Sequence, residues 1–188
     1  MAMHISRHYR DDHIKSDCFE TSVSIYEDQV RGWFFDQARV LEKASDHAGF
    51  ITLLVVLSYI EGHAIFLKGE DSKHRSKEFF RYAFKEIFPL SGDDPKVNDD
   101  AIDELYDQMR NGLFHTGITR GKVRLSYAYE TPVNLMIDLA TKMCVQIDIN
   151  PRLMLDGIEN HFSHYLMRLR NANETELREN FLTAWKMR

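Results

Sequence analysis

Apolar positions recur with helical spacing along most of the chain. Between Phe19 and Ala44, Val23, Tyr26, Val30, Trp33, Phe34, Ala38 and Leu41 form one stripe, and Glu27, Asp28, Arg31 and Glu42 fall off it. Gly49 breaks the pattern. From Phe50 to Leu67 the chain is apolar nearly all round at first, as in a central helix covered by its neighbours. Leu53, Leu54, Leu57, Ile60, Ala64 and Leu67 are its expected core face. Arg75 to Phe88 predicts a third helix, whose aromatic stripe of Phe79, Phe80, Phe84 and Phe88 reads as core. Pro89 stops it. Leu90 to Asn98 is turn-rich and reads as a linker.

The next stretch, Asp99 to Gly117, is again helical. Ile102, Leu105, Tyr106, Met109 and Leu113 keep one apolar face. Asp99, Asp100, Asp103 and Glu104 are expected in the first turn, where carboxylates complement the helix dipole. Gly117 is the expected stop. After it the period falls to two. Val123, Leu125 and Tyr127 alternate with Arg124, Ser126 and Ala128, and Val133 to Leu139 and Met143 to Ile149 read as two more strands. Asn150-Pro151 then opens a helix, as cap and first residue. A last helix covers about Glu174 to Lys186.

The expected fold is therefore mainly α, a four- to five-helix bundle with a small antiparallel β-meander inserted after the Asp99–Gly117 helix. One domain spans 1–188. Residues 19–120 are core helices, 121–150 the β-insertion and 151–188 the C-terminal helices.

Composition narrows the class. Cys18 and Cys144 are too few and too far apart for a disulfide framework or a Cys-based metal site. They fit a reducing compartment. The run Phe50 to Ile60 is too short to span a bilayer, and the N-terminus has no apolar signal core. A soluble cytoplasmic protein without a membrane partner is the expectation. The first residues are polar, and His4, His8 and His13 read as a frayed terminus rather than a metal tract. His161 and His164 form an i, i+3 pair without a third ligand, so no metal and no cofactor are expected.

The net charge of −5 argues against a broad nucleic-acid platform, whose affinity comes from Lys and Arg on phosphates. It leaves room for a local basic cleft. Lys68, Lys73, Arg75, Lys77, Arg81 and Lys85 form one basic stretch and Arg120, Lys122 and Arg124 a second, with Asp93, Asp94 and the acids of 99–107 as the counterweight. The simpler reading of both basic runs is a solvated helix face plus a strand edge.

Three polar residues at the end of the Asp99–Gly117 helix are unexplained by its apolar stripe. Asn111 and His115 are one turn apart, opposite the stripe, and Arg110 lies roughly 140° around from His115. A straight helix does not aim Arg110 and His115 at one target. Either the helix distorts at Gly112, or a second copy of the chain supplies the partner residue across a two-fold axis.

Arg110-Asn-Gly-Leu-Phe-His115 resembles the Arg-x4-His signature of the HEPN superfamily, helical-bundle ribonucleases and nucleotide-binding domains of bacterial toxin and defence systems. The likeness covers residues 20 to 120. It implies a homodimer whose interface carries a metal-independent endoribonuclease site, with RNA as substrate and a cognate antitoxin or regulatory protein as a further partner. Arg110, His115 and Asn111 match the motif and are the candidate catalytic residues. Arg120, Lys122 and Glu61 are the candidate substrate-side residues. Glu61, with His63, interrupts the central helix near its end. It reads either as a group supporting the Arg–His pair or as a partly exposed end-of-helix pair, because a lone buried carboxylate is costly.

The chemistry suits RNA. His can move protons near neutral pH, and Arg offers planar, permanently charged donors to phosphate oxygens. The expected products carry 2′,3′-cyclic phosphate ends. The alternative is a non-catalytic dimerisation or nucleotide-binding module, which the overall acidity favours. A metal-dependent bundle enzyme would need Glu-x-x-His motifs on facing helices, and Glu159 is followed by His161 instead.

Overall fold

The computed structural model describes residues 3–15, 18–90 and 94–187. A short 3-10 turn (Asp11–Lys15) precedes α1 (Phe19–Gln29), a π-helical turn (Val30–Phe35) and α2 (Asp36–Ala44), which run on as one helix. Then come α3 (Gly49–Lys68) and α4 (Ser76–Ile87). Helix α5 (Pro95–Glu104) continues through a second π-helical turn (Leu105–Arg110) into α6 (Asn111–Thr116). Strands β1 (Val123–Leu125), β2 (Val133–Ile137) and β3 (Cys144–Ile149) come next, and α7 (Pro151–Arg170) and α8 (Thr175–Lys186) complete the fold.

Helix α3 is the hub. It packs against α2, α4, α7 and α8 and buries Leu53, Val56, Leu57, Ile60, Ala64 and Leu67. Each such side chain contributes about 1.5–3 kcal/mol when fully withdrawn from water. One continuous core runs from Val23 on α1 to Trp185 on α8, so helices at both ends of the chain close over α3. The aromatic stripe of α4 lies in that core. With 20 residues and a mean hydropathy of 1.9, α3 is long and apolar enough to cross a membrane by length and composition, and half of it is buried in the bundle. The helix runs past the Phe50–Ile60 segment because Glu61 and His63 both find places in the protein.

The π turn at Val30–Phe35 corrects the expected stripe of the first helix. A π turn carries more residues than an α turn and rotates the remainder of the helix about its axis. Phe35 consequently enters the core at 2% exposure, whereas Trp33, Phe34 and Leu41 are exposed at 49%, 40% and 39%. The N-terminal segment is anchored rather than frayed over the described residues. Asp28 accepts from the Ser6 hydroxyl and the His8 backbone N–H and pairs with His8 Nδ1 at 2.7 Å, and Gln29 donates to the Ile5 carbonyl.

The fifth helix begins earlier than its acidic cluster suggests. Asp94 caps it by accepting from Lys96 N at 2.8 Å, and Pro95 takes the first position, where a missing N–H costs nothing. Asp99, Asp100, Asp103 and Glu104 therefore sit in the body of α5, not its first turn. They face the basic side of α4: Lys77 reaches Asp103 at 3.5 Å and Asp107 at 2.8 Å, and Arg81 and Lys85 bind Asp103 and Asp99. Burial works to raise the Asp103 pKa, but Arg81 and Lys77 outweigh it and hold the carboxyl below its usual range. The basic stretch of α4 is thus spent on α5 instead of forming an open phosphate platform. Asp93 lies outside the described residues.

The insertion is not a meander. The sheet order is β1-β3-β2, with β1 parallel and β2 antiparallel to β3. Strand β3 carries Ile147 and Ile149, both fully buried, and takes the centre, where both its edges are paired. Asn150 then caps α7 by accepting from Leu153 N, with Pro151 in first position.

Candidate functional site

Arg110 closes the second π turn and Asn111 opens α6. The distortion ends at Arg110. From Asn111 through His115 the backbone is regular α-helix, so the two side chains keep a separation of roughly 140°. Gly112 is therefore not the distortion point. It is a contact point: a Cβ there would stand 2.6 Å from the Ile118 carbonyl oxygen. Gly117, at φ 74°, turns the chain back after α6, which lets Ile118 to Arg120 lie against the helix. Arg120 N donates to the Gln108 carbonyl at 3.1 Å and secures the return.

The Arg110 guanidinium is held on four sides. Nε and Nη2 donate to Glu61 Oε2 at 3.1 and 3.0 Å, and Nη2 also reaches Oε1 at 3.3 Å. Nη1 donates to Asn111 Oδ1 at 3.2 Å. The rings of Tyr106 and Phe114 lie 5.6 and 4.9 Å from the guanidinium carbon. Such forked contacts fix orientation as well as adding energy, and cation–ring contacts gain as water is removed. The pair is partly screened from solvent, at 23% and 20% side-chain exposure.

His115 sits in the last turn of α6. It is exposed and makes no hydrogen bond or ion pair among the described residues. Phe114, beside it, is 48% exposed and Ile118 is 55% exposed. One chain thus carries an oriented Arg–Asn–Glu cluster and, on another side of the same helix end, a single unengaged imidazole.

The structure brings Arg110, Asn111 and Glu61 together and leaves His115 on the same helix, turned away from them. Arg120 is exposed; its Cγ would lie 3.6 Å from a Cβ at position 112, so its stem runs along the motif helix. Lys122 belongs to another place. Its Nζ lies 3.7 Å from Glu104, and it lines a groove with the acids of α5. Tyr106, which the sequence reading gave only to the apolar stripe, and Phe114, which it left out, flank the guanidinium. Their positions at i−4 and i+4 from Arg110 were the available signal.

Among the described residues no three His, Cys, Asp or Glu side chains converge in a metal-ligand arrangement. His161 and His164 part company: His161 turns in toward Tyr59 and His63, and His164 is exposed. No family model, curated protein or solved structure matches this chain.

Proposed function

We propose that the protein is a metal-independent endoribonuclease of the HEPN type, acting as a homodimer in a toxin- or defence-like setting under the control of a partner protein. The observation that carries the reading is Arg110. A forked, ring-flanked guanidinium suits phosphate recognition, and the exposed, unengaged His115 on another side of the same helix end suits proton transfer once a second copy brings its own motif to the site.

RNA brings its own nucleophile, which is why the step asks for no metal ion. His115 of one copy takes the proton from the 2′-hydroxyl, and O2′ forms a bond to phosphorus. Arg110 donates to the non-bridging oxygens as charge builds on the phosphorane. The bond from phosphorus to O5′ then breaks, and His115 of the partner subunit gives O5′ its proton. The products are a 2′,3′-cyclic phosphate and a 5′-hydroxyl. One chain carries a single motif histidine, so acid and base together call for two copies.

Incubating purified protein with RNA in EDTA, beside the Arg110→Ala/His115→Ala double variant, tests this. Cleavage by wild type that the variant lacks is the expected result. Equal cleavage by both would overturn it.

A second reading has one observation in its favour. Glu61 already occupies the Nε/Nη2 edge of Arg110, and a guanidinium committed to a carboxylate is less available to phosphate. That arrangement suits a non-catalytic dimerisation or nucleotide-binding module. RNA left intact under all conditions, with a nucleotide or protein retained on purification, selects it.

A further inference from the structure

The sheet has two outer edges, and they are finished differently. Strand β1 is three residues long, carries Arg124, and turns its Val123 N–H back to the Arg120 carbonyl. Short length and charge are the usual guards of a sheet edge. Strand β2 has neither. It is five residues long, with no charged side chain and no proline within it. The register slip between β2 and β3 leaves the extra residue, Val145, on β3, so the β2 backbone stays regular.

Hydrogen bonds fix which backbone groups the β2 edge presents. Asn150 N donates to the Pro132 carbonyl at 3.0 Å, and Asn134 and Met136 stand opposite Asp148 and Gln146. On the other side of β3, Ile147 N donates to the Lys122 carbonyl and the Ile149 carbonyl accepts from Ser126 N. Backbone direction alternates along a strand. Pro132, Asn134 and Met136 therefore face β3, and Val133, Leu135 and Ile137 turn their N–H and C=O groups outward. Those outward groups have no hydrogen-bond partner among the described residues. Beside them lies a hollow of about 360 Å³, lined by Val133, Leu135 and Ile137 and by Phe88, Pro89 and Leu90 at the end of α4. Phe88 is buried and pinned, since a Cβ at Gly157 of α7 would stand 2.4 Å from its ring. Among the described residues no charged side chain lines the hollow.

We propose that this edge and hollow take one extended segment of a partner protein, added to the sheet as a strand outside β2, with an apolar side chain seated in the hollow. A helix satisfies its own backbone groups, so a row of unpaired N–H and C=O groups at strand spacing is answered by extended backbone. Successive side chains of such a segment point to opposite faces, so every second one is directed toward the hollow. The uncharged lining selects an apolar group there, because a charge would be buried without a partner. The β2 strand of a second copy does not supply it. Val133 and Leu135, the side chains it would offer on that face, are packed against its own core. On the opposite face of β2, Met136 is 45% exposed, and the intervening residues of the segment would cover it. None of these residues belongs to the Arg110–His115 site, so the docking edge is independent of the nuclease reading.

The test uses the full chain. Amide exchange followed by NMR in the free protein is expected to be slow at Asn134 and Met136 and at least about tenfold faster at Val133, Leu135 and Ile137. Slow exchange at all of them would show an edge already covered and would overturn the proposal. The probe is then a peptide of about ten residues, selected on wild type from a random library displayed on phage and made synthetically. It is expected to carry apolar residues at alternate positions and to slow exchange at the outward amides. Leu135→Pro removes one outward N–H and no bond to β3, and should weaken peptide binding by at least about tenfold. Thr131→Arg places a charge at the exposed rim of the hollow and should weaken it similarly, with an unchanged melting curve that separates lost docking from lost folding. A library that yields no binder overturns the proposal. So does a peptide that leaves the outward amides unprotected and binds both variants as it binds wild type.

Discussion

Glu61 and His63 are two positions apart on α3 and about 200° apart around it, and the bundle treats them oppositely. Glu61 stays at the edge, one fifth exposed, and is matched by a guanidinium from a helix 49 positions further on. His63 goes inside, at 1% exposure, and neither of its ring nitrogens has a hydrogen-bond partner among the described residues. It is stacked on Tyr59, with His161 and Tyr165 set edge-on at 4.7 and 4.5 Å. Burial, with a smaller contribution from His161, drives the His63 pKa well below its ordinary value, so the ring is neutral. The lesson concerns where charge can be kept. At the edge a full charge is held by an opposite one. In the core the same helix tolerates a titratable ring only by keeping it uncharged.

The largest expected effect falls on the edge. His115→Ala should lower RNA cleavage by about 10²–10⁴-fold, the usual worth of a general acid or base. The melting temperature should hardly move, because the side chain is exposed and unpaired. A large fall in stability instead would mean that His115 is structural.

Next comes the pair itself. Glu61→Ala leaves the Arg110 guanidinium partly buried without its carboxylate and should cost about 1–3 kcal/mol in denaturant unfolding. A double-mutant cycle with Arg110→Ala should return a coupling of about 0.5–3 kcal/mol. Additive losses would show that the two side chains merely lie close.

The core side of the comparison is sharpened by acid. The folded-state pKa of His63 is below its unfolded value, so the unfolded chain binds the extra proton first. The neutral ring's contribution is complete above about pH 6.5 and is lost as pH falls toward the folded value, at up to about 1.4 kcal/mol per pH unit. His63→Leu, of similar volume, should flatten that slope in unfolding measured from pH 7 down to 5. An unchanged slope would locate the acid sensitivity in other groups.

The smallest effect expected is at the return loop. Gly112→Ala pushes a methyl group against the Ile118 carbonyl and should cost about 1–2 kcal/mol, read as a lowered melting temperature.

Much of the fold was legible because the signals are local. The helix from Phe19 to Ala44, α3, α4 and α7 follow from apolar spacing, and Asn150-Pro151 marks the start of α7 correctly. Three readings were wrong. The Trp33–Phe34 stripe assumed ideal periodicity, the late start of α5 took the acidic cluster for the first turn and left the Asp94–Pro95 cap in the linker, and the meander assumed nearest-neighbour pairing. The π turns shift the phase of a helix by packing that no window of residues records, and β1 passes over β2 to pair with β3. At the site, Arg110, Asn111 and His115 stood out because the apolar stripe left them unexplained.

The sequence by itself determined which segments are helical or extended, where Pro151 admits a helix, and that Arg110, Asn111 and His115 share one helix end. These are properties of spacing, caps and backbone freedom over a few residues. Only the tertiary structure decided that Glu61 meets Arg110, that α5 absorbs the positive charge of α4, that Lys122 turns to Glu104, and that His63 is buried while Glu61 is not. Those outcomes depend on which faces of distant segments come together, and that is settled by burying the whole apolar core at once.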